Sequence, residues 1–291
     1  METVYCPYCN SVKTNLVLKS KDFFLSQESF QIHKCADCKI SFTYPIPSDK
    51  NITNYYQSDS YVSHGQSKSI LDWVYVLARK YTLRWKLKII QSLKTNRNLL
   101  DVGCGTGDFL TICKIHGLLV DGIEPSAKAR AQAELQIENK IYEDHDQLEG
   151  KLYDVITMWH VLEHVTYLKV ILQKLKEKIA SNGYILIAVP NHLSYDAKYY
   201  KEYWAAYDLP RHLWHFDIES MTRVLNDAGL QIQEIIPMKL DAYYISLISN
   251  SYKESNVFYR FINSLLIGLK SNFKARRNNN YSSILFIVKK K

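Results

Sequence analysis

The sequence predicts an α/β fold built on a doubly wound, seven-stranded, mostly parallel sheet, with a small N-terminal module and helical insertions. From residue 97 onward, short apolar strands alternate with amphipathic helices, which is typical of a parallel sheet covered on both faces. A glycine-rich turn follows the first of these strands. Two C-x-x-C pairs lie within the first 45 residues.

The composition is that of a folded protein without a membrane span. Of the 291 residues, 47% are hydrophobic and 23% are charged, which is ordinary for a globular chain. The sequence has no apolar run of about 18 residues, the length that crosses a bilayer. Its first residues lack the charged and apolar regions of a signal peptide. We therefore expect a cytoplasmic protein.

Basic residues are in excess and concentrate in two segments. The net charge is +8, and residues 79–97 and 270–291 contain lysine and arginine but no acid. One interpretation is attraction to an anion, such as a nucleotide-linked substrate, nucleic acid or lipid headgroups. The other interpretation is an ordinary solvated surface, and the charge pattern leaves both open.

Four of the six cysteines form two C-x-x-C pairs, spaced C-x2-C-x25-C-x2-C. Paired knuckles of this kind favour a metal over disulfides in a reducing compartment. Four thiolates turned toward one point suit a tetrahedral zinc ion, which would stabilise a module too small to hold much core. We predict a structural zinc in residues 1–45, with short strands at 16–18 and 23–25. Its ligands are Cys6, Cys9, Cys35 and Cys38.

The rest of the chain divides into two parts. Residues 46–94 are predicted to form a connector followed by an amphipathic helix over 68–93 that acts as a lid. Residues 95–291 are predicted to form the main domain, with insertions at 191–216 and 240–281. The expected strands are 98–102, 118–123, 140–142, 153–159, 184–189, 231–236 and 282–288.

The glycine-rich turn spans residues 101–107, Asp-Val-Gly-Cys-Gly-Thr-Gly, between a strand and a helix. Glycines there let the backbone turn sharply and approach a nucleotide-like ligand at the helix N-terminus. A dinucleotide fingerprint needs its third glycine at position 108, where this chain has Asp108. Glu124 ends the second strand, where an acid can accept hydrogen bonds from two ribose hydroxyls.

These segments resemble the first two motifs of the class I S-adenosylmethionine-dependent methyltransferases. Residues 153–165 and 182–191 are similar to the fourth-strand and fifth-strand motifs of that family. Residues 208–216, Asp-Leu-Pro-Arg-His-Leu-Trp-His-Phe, resemble a bacterial subgroup that joins a zinc ribbon to a type 23-like methyltransferase domain. The segment around Tyr142 matches poorly the acid that often binds adenine in this family.

The resemblance implies a Rossmann-like fold, methyl transfer and S-adenosylmethionine as cofactor. It assigns cofactor binding to Asp101, Gly103, Gly105, Gly107 and Glu124. It also implies that Tyr61 and His64 cover the methionine end of the cofactor.

Histidines concentrate after the fourth and fifth strands, whose carboxyl ends face the ligand crevice in this architecture. We take His160, His164 and His212 as candidate acid/base groups and Arg211 as a candidate receptor for an anionic acceptor. On a helix, His160 and His164 would share one face and form one site or one structural pair. Glu163 and His164 could also hold a divalent cation.

We therefore predict methyl transfer to a small, anionic acceptor, such as a nucleotide-linked sugar or another biosynthetic intermediate. An RNA-modifying methyltransferase is the first alternative, favoured by the zinc ribbon and the basic helix. A non-catalytic binding module on the same fold is the second. The acceptor, the atom that is methylated and the oligomeric state are left open by the sequence.

Overall fold

The structure, a computed structural model, describes residues 3–56, 70–93, 97–148, 150–253 and 256–291. The strands of this part form one four-stranded and one six-stranded sheet. They are β1 (Thr14–Lys21), β2 (Ser29–Cys35), β3 (Ser41–Tyr44), β4 (Asn98–Val102), β5 (Leu119–Ile123), β6 (Tyr153–Trp159), β7 (Ile179–Pro190), β8 (Trp214–His215), β9 (Leu230–Pro237) and β10 (Ser283–Lys290).

Helices connect these strands and form most of both insertions. They are α1 (Asp49–Ile52), α2 (Ile70–Ser92), α3 (Asp108–Ile115), α4 (Ala127–Ile137), α5 (Leu168–Lys178), α6 (Tyr195–Tyr200), α7 (Ile218–Asp227), α8 (Asp241–Lys253) and α9 (Val257–Asn278). None of the helices in the described ranges is long and apolar enough to cross a membrane.

The larger sheet has the strand order β5-β4-β6-β7-β10-β9. Its first four strands are parallel, whereas β10 runs antiparallel to both of its neighbours. The predicted doubly wound, mostly parallel architecture is therefore confirmed. The carboxyl ends of β4, β5 and β6 meet at one edge, where ligands bind in sheets of this type.

The strand predicted at residues 140–142 does not form. Among the described residues it is reduced to a single parallel bridge between Ile123 and Tyr142. The chain turns directly after this bridge because side-chain oxygens accept the hydrogen bonds of the backbone N–H groups that follow Tyr142. The amide oxygen of Gln147 accepts from the Glu143 N–H at 3.1 Å, and Asp144 accepts from the Asp146 N–H at 2.9 Å. Local side-chain bonds of this kind compete with a strand ladder.

The core lies on both faces of β6, β7 and β10. Ile156, Ile187 and Phe286 have at most 1% of their surface exposed, which explains why these strands read as continuous apolar runs. Asp217 begins α7 with a capping box, and Gly229 follows its end at a φ of 71°. Aspartate at the start of a helix and glycine after its end are both common boundary residues.

The N-terminal sheet is completed by the first insertion. Its order is β1-β2-β3-β8, and β8 comes from residues 191–216. Phe42 pairs with Trp214 across this junction. The predicted strand at 23–25 is wrong, because residues 23–26 form a turn whose backbone N–H groups at 24, 25 and 26 donate to the carboxylate of Asp22.

The second insertion folds into two helices. One side of α9 carries large apolar residues that are mostly exposed, with Phe258 at 74% and Leu266 at 58%. Small buried residues on the other side of the helix face α8 instead. A side chain at Gly268 would lie 2.5 Å from the ring of Tyr243, so only glycine allows this close helix contact.

A buried ion-pair network joins three separate parts of the chain at Arg211. Its guanidinium donates to both carboxylate oxygens of Asp208, to Asp22 at 3.1 Å and to the carbonyl oxygen of Tyr55 at 3.1 Å. Arg211 is 1% exposed and Asp22 is fully buried. The network therefore connects the N-terminal sheet, the connector and the first insertion, and Asp208 is its partly exposed member, with 26% of its side chain accessible.

We expect Asp22→Ala to lower the free energy of unfolding by about 3–5 kcal/mol, because it leaves a buried guanidinium short of a partner. Asp37→Ala is the matched control. Asp37 is exposed and lies 3.9 Å from Lys13, so its loss should change stability by about 0–1 kcal/mol. Urea denaturation of both variants measures the difference, and equal stabilities would show that the network contributes little.

Candidate functional site

The four cysteines of the two knuckles come together at the base of the N-terminal sheet. Each knuckle is a tight turn in which a backbone N–H donates to the carbonyl of the first cysteine, Asn10 to Cys6 at 2.8 Å and Lys39 to Cys35 at 3.1 Å. Asn10 and Lys39 both have a positive φ, of 60° and 66°. The two turns are thus built alike and direct their thiols toward one point.

The sulfur geometry suits a tetrahedral metal. Cys6 and Cys38 have sulfurs 3.5 Å apart, and Cys9 and Cys35 have sulfurs 3.6 Å apart. Zinc bound to four sulfurs at about 2.3 Å places them about 3.8 Å from one another. All four thiol groups lie within 4.8 Å of each other. The predicted four-cysteine cluster is therefore confirmed as a cluster that fits zinc.

The glycine-rich turn connects β4 to α3 at the carboxyl edge of the large sheet. Gly103, Gly105 and Gly107 all have positive φ values, of 72°, 56° and 87°. A side chain at Gly103 would lie 2.5 Å from Val161, whereas at Gly105 it would meet nothing within 4 Å. Gly105 therefore borders open space, as required where a ligand approaches the backbone.

Glu124 ends β5 beside this turn and is tied to it. Its carboxylate accepts hydrogen bonds from the Gly105 N–H at 2.8 Å and from the Ser126 N–H at 2.9 Å. Ser126 in turn caps α4. The two predicted cofactor motifs thus meet through one carboxylate, which is half-buried and faces the turn.

Asp101 lies at the end of β4, 3% exposed, and accepts a hydrogen bond from Thr157 at 2.6 Å. Burial raises the pKa of Asp101 to about 7, although the Thr157 hydrogen bond and the charge of Lys86 act in the opposite direction. Burial also lowers the pKa of Lys86 to about 8. The Lys86 ammonium lies 4.2 Å from the ring centre of Trp159.

The turn opens into a cavity of about 940 Å³, which we call the active-site chamber. The glycine-rich turn and α3 form one wall, α2 another, and the two insertions the remaining walls. The chamber also reaches the residues that follow β6. Its polar lining includes Asp101, Lys86, His160, Glu163, Asp208, Arg211, His212 and Asp241.

His160 follows β6 with a φ of 57°, a left-handed conformation that is rare for residues other than glycine. Its ring nitrogens lie 3.1 Å from Asp241 and 3.4 Å from Glu163. Burial disfavours protonation of His160, but the two carboxylates outweigh it and raise its pKa to about 9. Burial alone would raise the pKa of Glu163, and His160 and His212 lower it.

His164 and His212 lie together behind Glu163, with ring centres 4.5 Å apart. Burial lowers the pKa of His164 to about 4, and His212 adds to this effect. His160 and His164 do not share a helix face as predicted, because residues 162–164 form a 3-10 turn after the left-handed residue. Glu163 lies between the three rings.

Arg211 reaches the chamber wall, but its charge is already balanced by Asp22 and Asp208. This arrangement favours a positioning role over the predicted role as receptor for an anionic acceptor, because a neutralised guanidinium attracts a further anion weakly. Tyr61 and His64 lie outside the described residues.

Sequence reasoning missed Asp241 and Lys86 as residues of the site. Asp241 begins α8 in the second insertion and carries no motif. Lys86 belongs to the basic run of α2, but only the fold turns it toward Trp159. The sequence identified residues 79–97 as basic, but it did not distinguish Lys86 from the other lysine and arginine residues of that segment.

Comparison with known proteins agrees with this geometry. The sequence model described as a methyltransferase domain matches residues 75–235. Ubiquinone biosynthesis O-methyltransferase of Vibrio atlanticus is 28% identical over 104 residues, covering 33% of this chain and 44% of the relative. The enzyme of the same name from Rickettsia prowazekii is 31% identical over 116 residues, covering 35% and 46%. The chain thus spans less than half the length of either relative.

Solved structures share the fold. Magnesium protoporphyrin IX methyltransferase from Synechocystis, with bound SAH, superposes with a TM-score of 0.54 at 14% identity, covering 84% of this chain and all of that one. A SAM-dependent methyltransferase from Archaeoglobus fulgidus gives a TM-score of 0.50 at 22% identity, covering 73% and 94%. Because the family model matches more than half of the residues, we conclude that the chain belongs to the methyltransferase-domain family, in the S-adenosylmethionine-dependent class.

Proposed function

We propose that this protein transfers a methyl group from S-adenosylmethionine to a small acceptor bound in the active-site chamber. The observation that carries the proposal is that one cavity joins the glycine-rich turn to His160, Glu163 and His212. Cofactor and acceptor can therefore occupy one space. Residues 1–45 form, in this proposal, a zinc-bound module that supports the first insertion through β8.

Bound S-adenosylmethionine supplies a methyl group activated by a sulfonium charge. The acceptor atom forms a bond to the methyl carbon as the carbon–sulfur bond breaks and its electron pair stays on sulfur. The protein must hold the two reactants in line and provide a route for any proton that the acceptor loses. We assign positioning of the cofactor to the turn at 103–107 and to Glu124, and proton handling to His160, which keeps its own proton below its raised pKa of about 9 and can accept one from the acceptor above that pH.

The acceptor is small because both insertions wall the chamber. A nucleotide-linked sugar or another anionic intermediate remains our prediction, although the described wall does not carry excess positive charge. Its acids are Asp101, Asp108, Glu163, Asp208 and Asp241, and its lysine and arginine residues are Arg79, Lys86 and Arg211. The matched relatives are named as O-methyltransferases, which favours an oxygen atom as acceptor.

Two of the five basic residues of α2 belong to the chamber wall rather than to a surface track for RNA, whereas Lys80, Arg84 and Lys88 are exposed. Arg79 pairs with Asp108, and Lys86 lies over Trp159, so both turn toward the chamber wall. A track for nucleic acid needs free cations along a surface.

The acceptor can be identified by comparing methylated metabolites between cells with and without the gene. We expect one small metabolite to lose its methyl group on deletion. It should regain the group when purified protein and S-adenosylmethionine are added. Methylation of bulk RNA instead, with affinity that falls steeply with salt, would replace this proposal by the RNA-modifying alternative.

For the cofactor, we expect Gly105→Val to abolish binding of S-adenosylmethionine, because the new side chain would fill the open space beside the turn. Glu124→Ala should weaken binding by about 1–3 kcal/mol through loss of charge-assisted hydrogen bonds. Calorimetry measures both affinities. Glu177→Ala, an exposed acid on α5, is the control, and undiminished binding in both site variants would refute the assignment.

For the zinc site, we expect one zinc per chain in protein purified without added metal. Cys6→Ser should release it and lower stability, since binding energy contributes to folding of so small a module. Cys113→Ser removes a buried thiol outside the cluster and should keep the zinc. Elemental analysis decides, and a zinc content near zero in the unmodified protein would contradict the site.

For proton handling, we expect His160→Ala to slow turnover by about 10²–10⁴-fold, the usual range for a lost acid or base. Cofactor affinity should stay unchanged, because His160 contacts Asp241 and Glu163 rather than the glycine-rich turn. His116→Ala, at an exposed position, should leave both unchanged. Unaltered turnover in His160→Ala would assign this histidine a structural role.

A further inference from the structure

We propose that Glu163, His164 and His212 form a binding site for a divalent transition metal in the wall of the active-site chamber. One potential ligand atom from each of the three residues lies within 4.8 Å of the other two. Glu163 is 1% exposed and His212 8% exposed, yet both line the chamber. The three residues are distinct from the cysteine cluster, so the chain would hold two metal sites with different donor atoms.

Hydrogen bonds at the far side of each ring prepare the two histidines as ligands. The Nδ1 atom of His164 lies 3.0 Å from the carbonyl oxygen of Arg211, and that of His212 lies 2.8 Å from the carbonyl oxygen of Ala206. A carbonyl oxygen can only accept, so in each neutral ring Nδ1 carries the proton and Nε2 carries the lone pair. Metal-binding histidines are oriented in this way by the protein around them.

Glu163 adds a carboxylate that lacks a conventional partner. Among the described residues, neither of its oxygens accepts a hydrogen bond, although both are buried. The nearest nitrogen is His160 Nδ1 at 3.4 Å, and His212 Nε2 lies 4.0 Å away, too far for a hydrogen bond. Apart from the ion pair with His160, the described residues offer this buried carboxylate no hydrogen-bond donor, so a bound metal ion would complete its set of partners.

The donor set indicates the kind of metal. Two imidazoles and one carboxylate suit zinc, iron(II) or cobalt(II) better than magnesium or calcium, which prefer oxygen alone. Donor atoms bound at about 2.1 Å lie about 3.4 Å apart in a tetrahedron. The candidate donor atoms here lie within 4.8 Å of one another, and His212 Nε2 lies 4.0 Å from Glu163, so the three side chains would have to move closer together to bind a metal. Three protein ligands leave a coordination position for a bound molecule, as in catalytic rather than structural sites.

The role of the metal, though not its binding, rests on the proposed methyl transfer. An oxygen of the acceptor could take the open position, since Glu163 and His212 face the chamber that also contains the glycine-rich turn. The metal would lower the pKa of an acceptor hydroxyl, whose proton would leave by the route at His160 before its oxygen bonds the methyl carbon. Sulfur keeps the electron pair of the broken bond, so no oxidant is needed.

Cobalt(II) titration of full-length protein that contains one zinc per chain, in the cysteine cluster, tests the site without requiring an acceptor. We expect about one cobalt per chain beyond the zinc, with d–d absorption and no thiolate-to-cobalt charge transfer. Glu163→Gln and His212→Gln should each raise the Kd for cobalt by more than about 10-fold. His116→Gln, at an exposed histidine, should leave the Kd unchanged. Circular dichroism and cofactor affinity establish that each variant is folded.

A second measurement uses the unmodified protein. Bound cobalt should broaden the methyl resonance of bound S-adenosylmethionine, because the site and the turn share one chamber. Cobalt bound only with thiolate absorption, or equally well in all variants, would overturn the proposal. Metal-free methyl transfer at the full rate would remove the catalytic role. Cobalt binding without cofactor binding would instead support the metal site while contradicting the proposed function.

Discussion

The arrangement of the active-site chamber depends on the buried ion-pair network of Arg211. Its side chain joins Asp22 of the N-terminal sheet to Asp208 of the first insertion, and its carbonyl oxygen accepts a hydrogen bond from His164. A buried guanidinium is costly unless every donor finds a partner. Each of these segments is therefore held in place by the others, and displacing one would leave a charge unpaired.

This network explains why an N-terminal module is attached to the chamber. The cysteine cluster and β3 share one hydrophobic cluster with the large sheet, and this cluster includes Cys38, Phe42, Trp214 and Phe216. The strand β8 joins the sheet only at Ser41 and Phe42. A metal that stabilises the knuckles would thus also stabilise the insertion that carries Arg211 and His212. We interpret the module as a support for the chamber wall.

The chamber has two halves with different physical characters. The half formed by β4, β5 and the glycine-rich turn exposes backbone to the chamber, since Gly105 donates its N–H to Glu124 and borders open space. The half formed after β6 consists of buried charged side chains, in which Asp241 and Glu163 offset the cost of burying a charged His160. The first half suits a cofactor common to the family. The second half depends on the insertions and can therefore differ among family members without loss of the fold.

The sequence alone determined the features that arise from local patterns. Apolar runs of strand length, the capping residue Asp217 and the glycines of the turn need only neighbouring residues to act, and the cysteine spacing implied one cluster. Tertiary structure decided what depends on residues far apart in the chain. It paired Arg211 with Asp22, placed Asp241 beside His160, and turned the small residues of α9 inward instead of its apolar stripe. The periodicity of a sequence indicates which residues can be buried. Which other residues cover them or balance their charge is determined only when distant segments pack together.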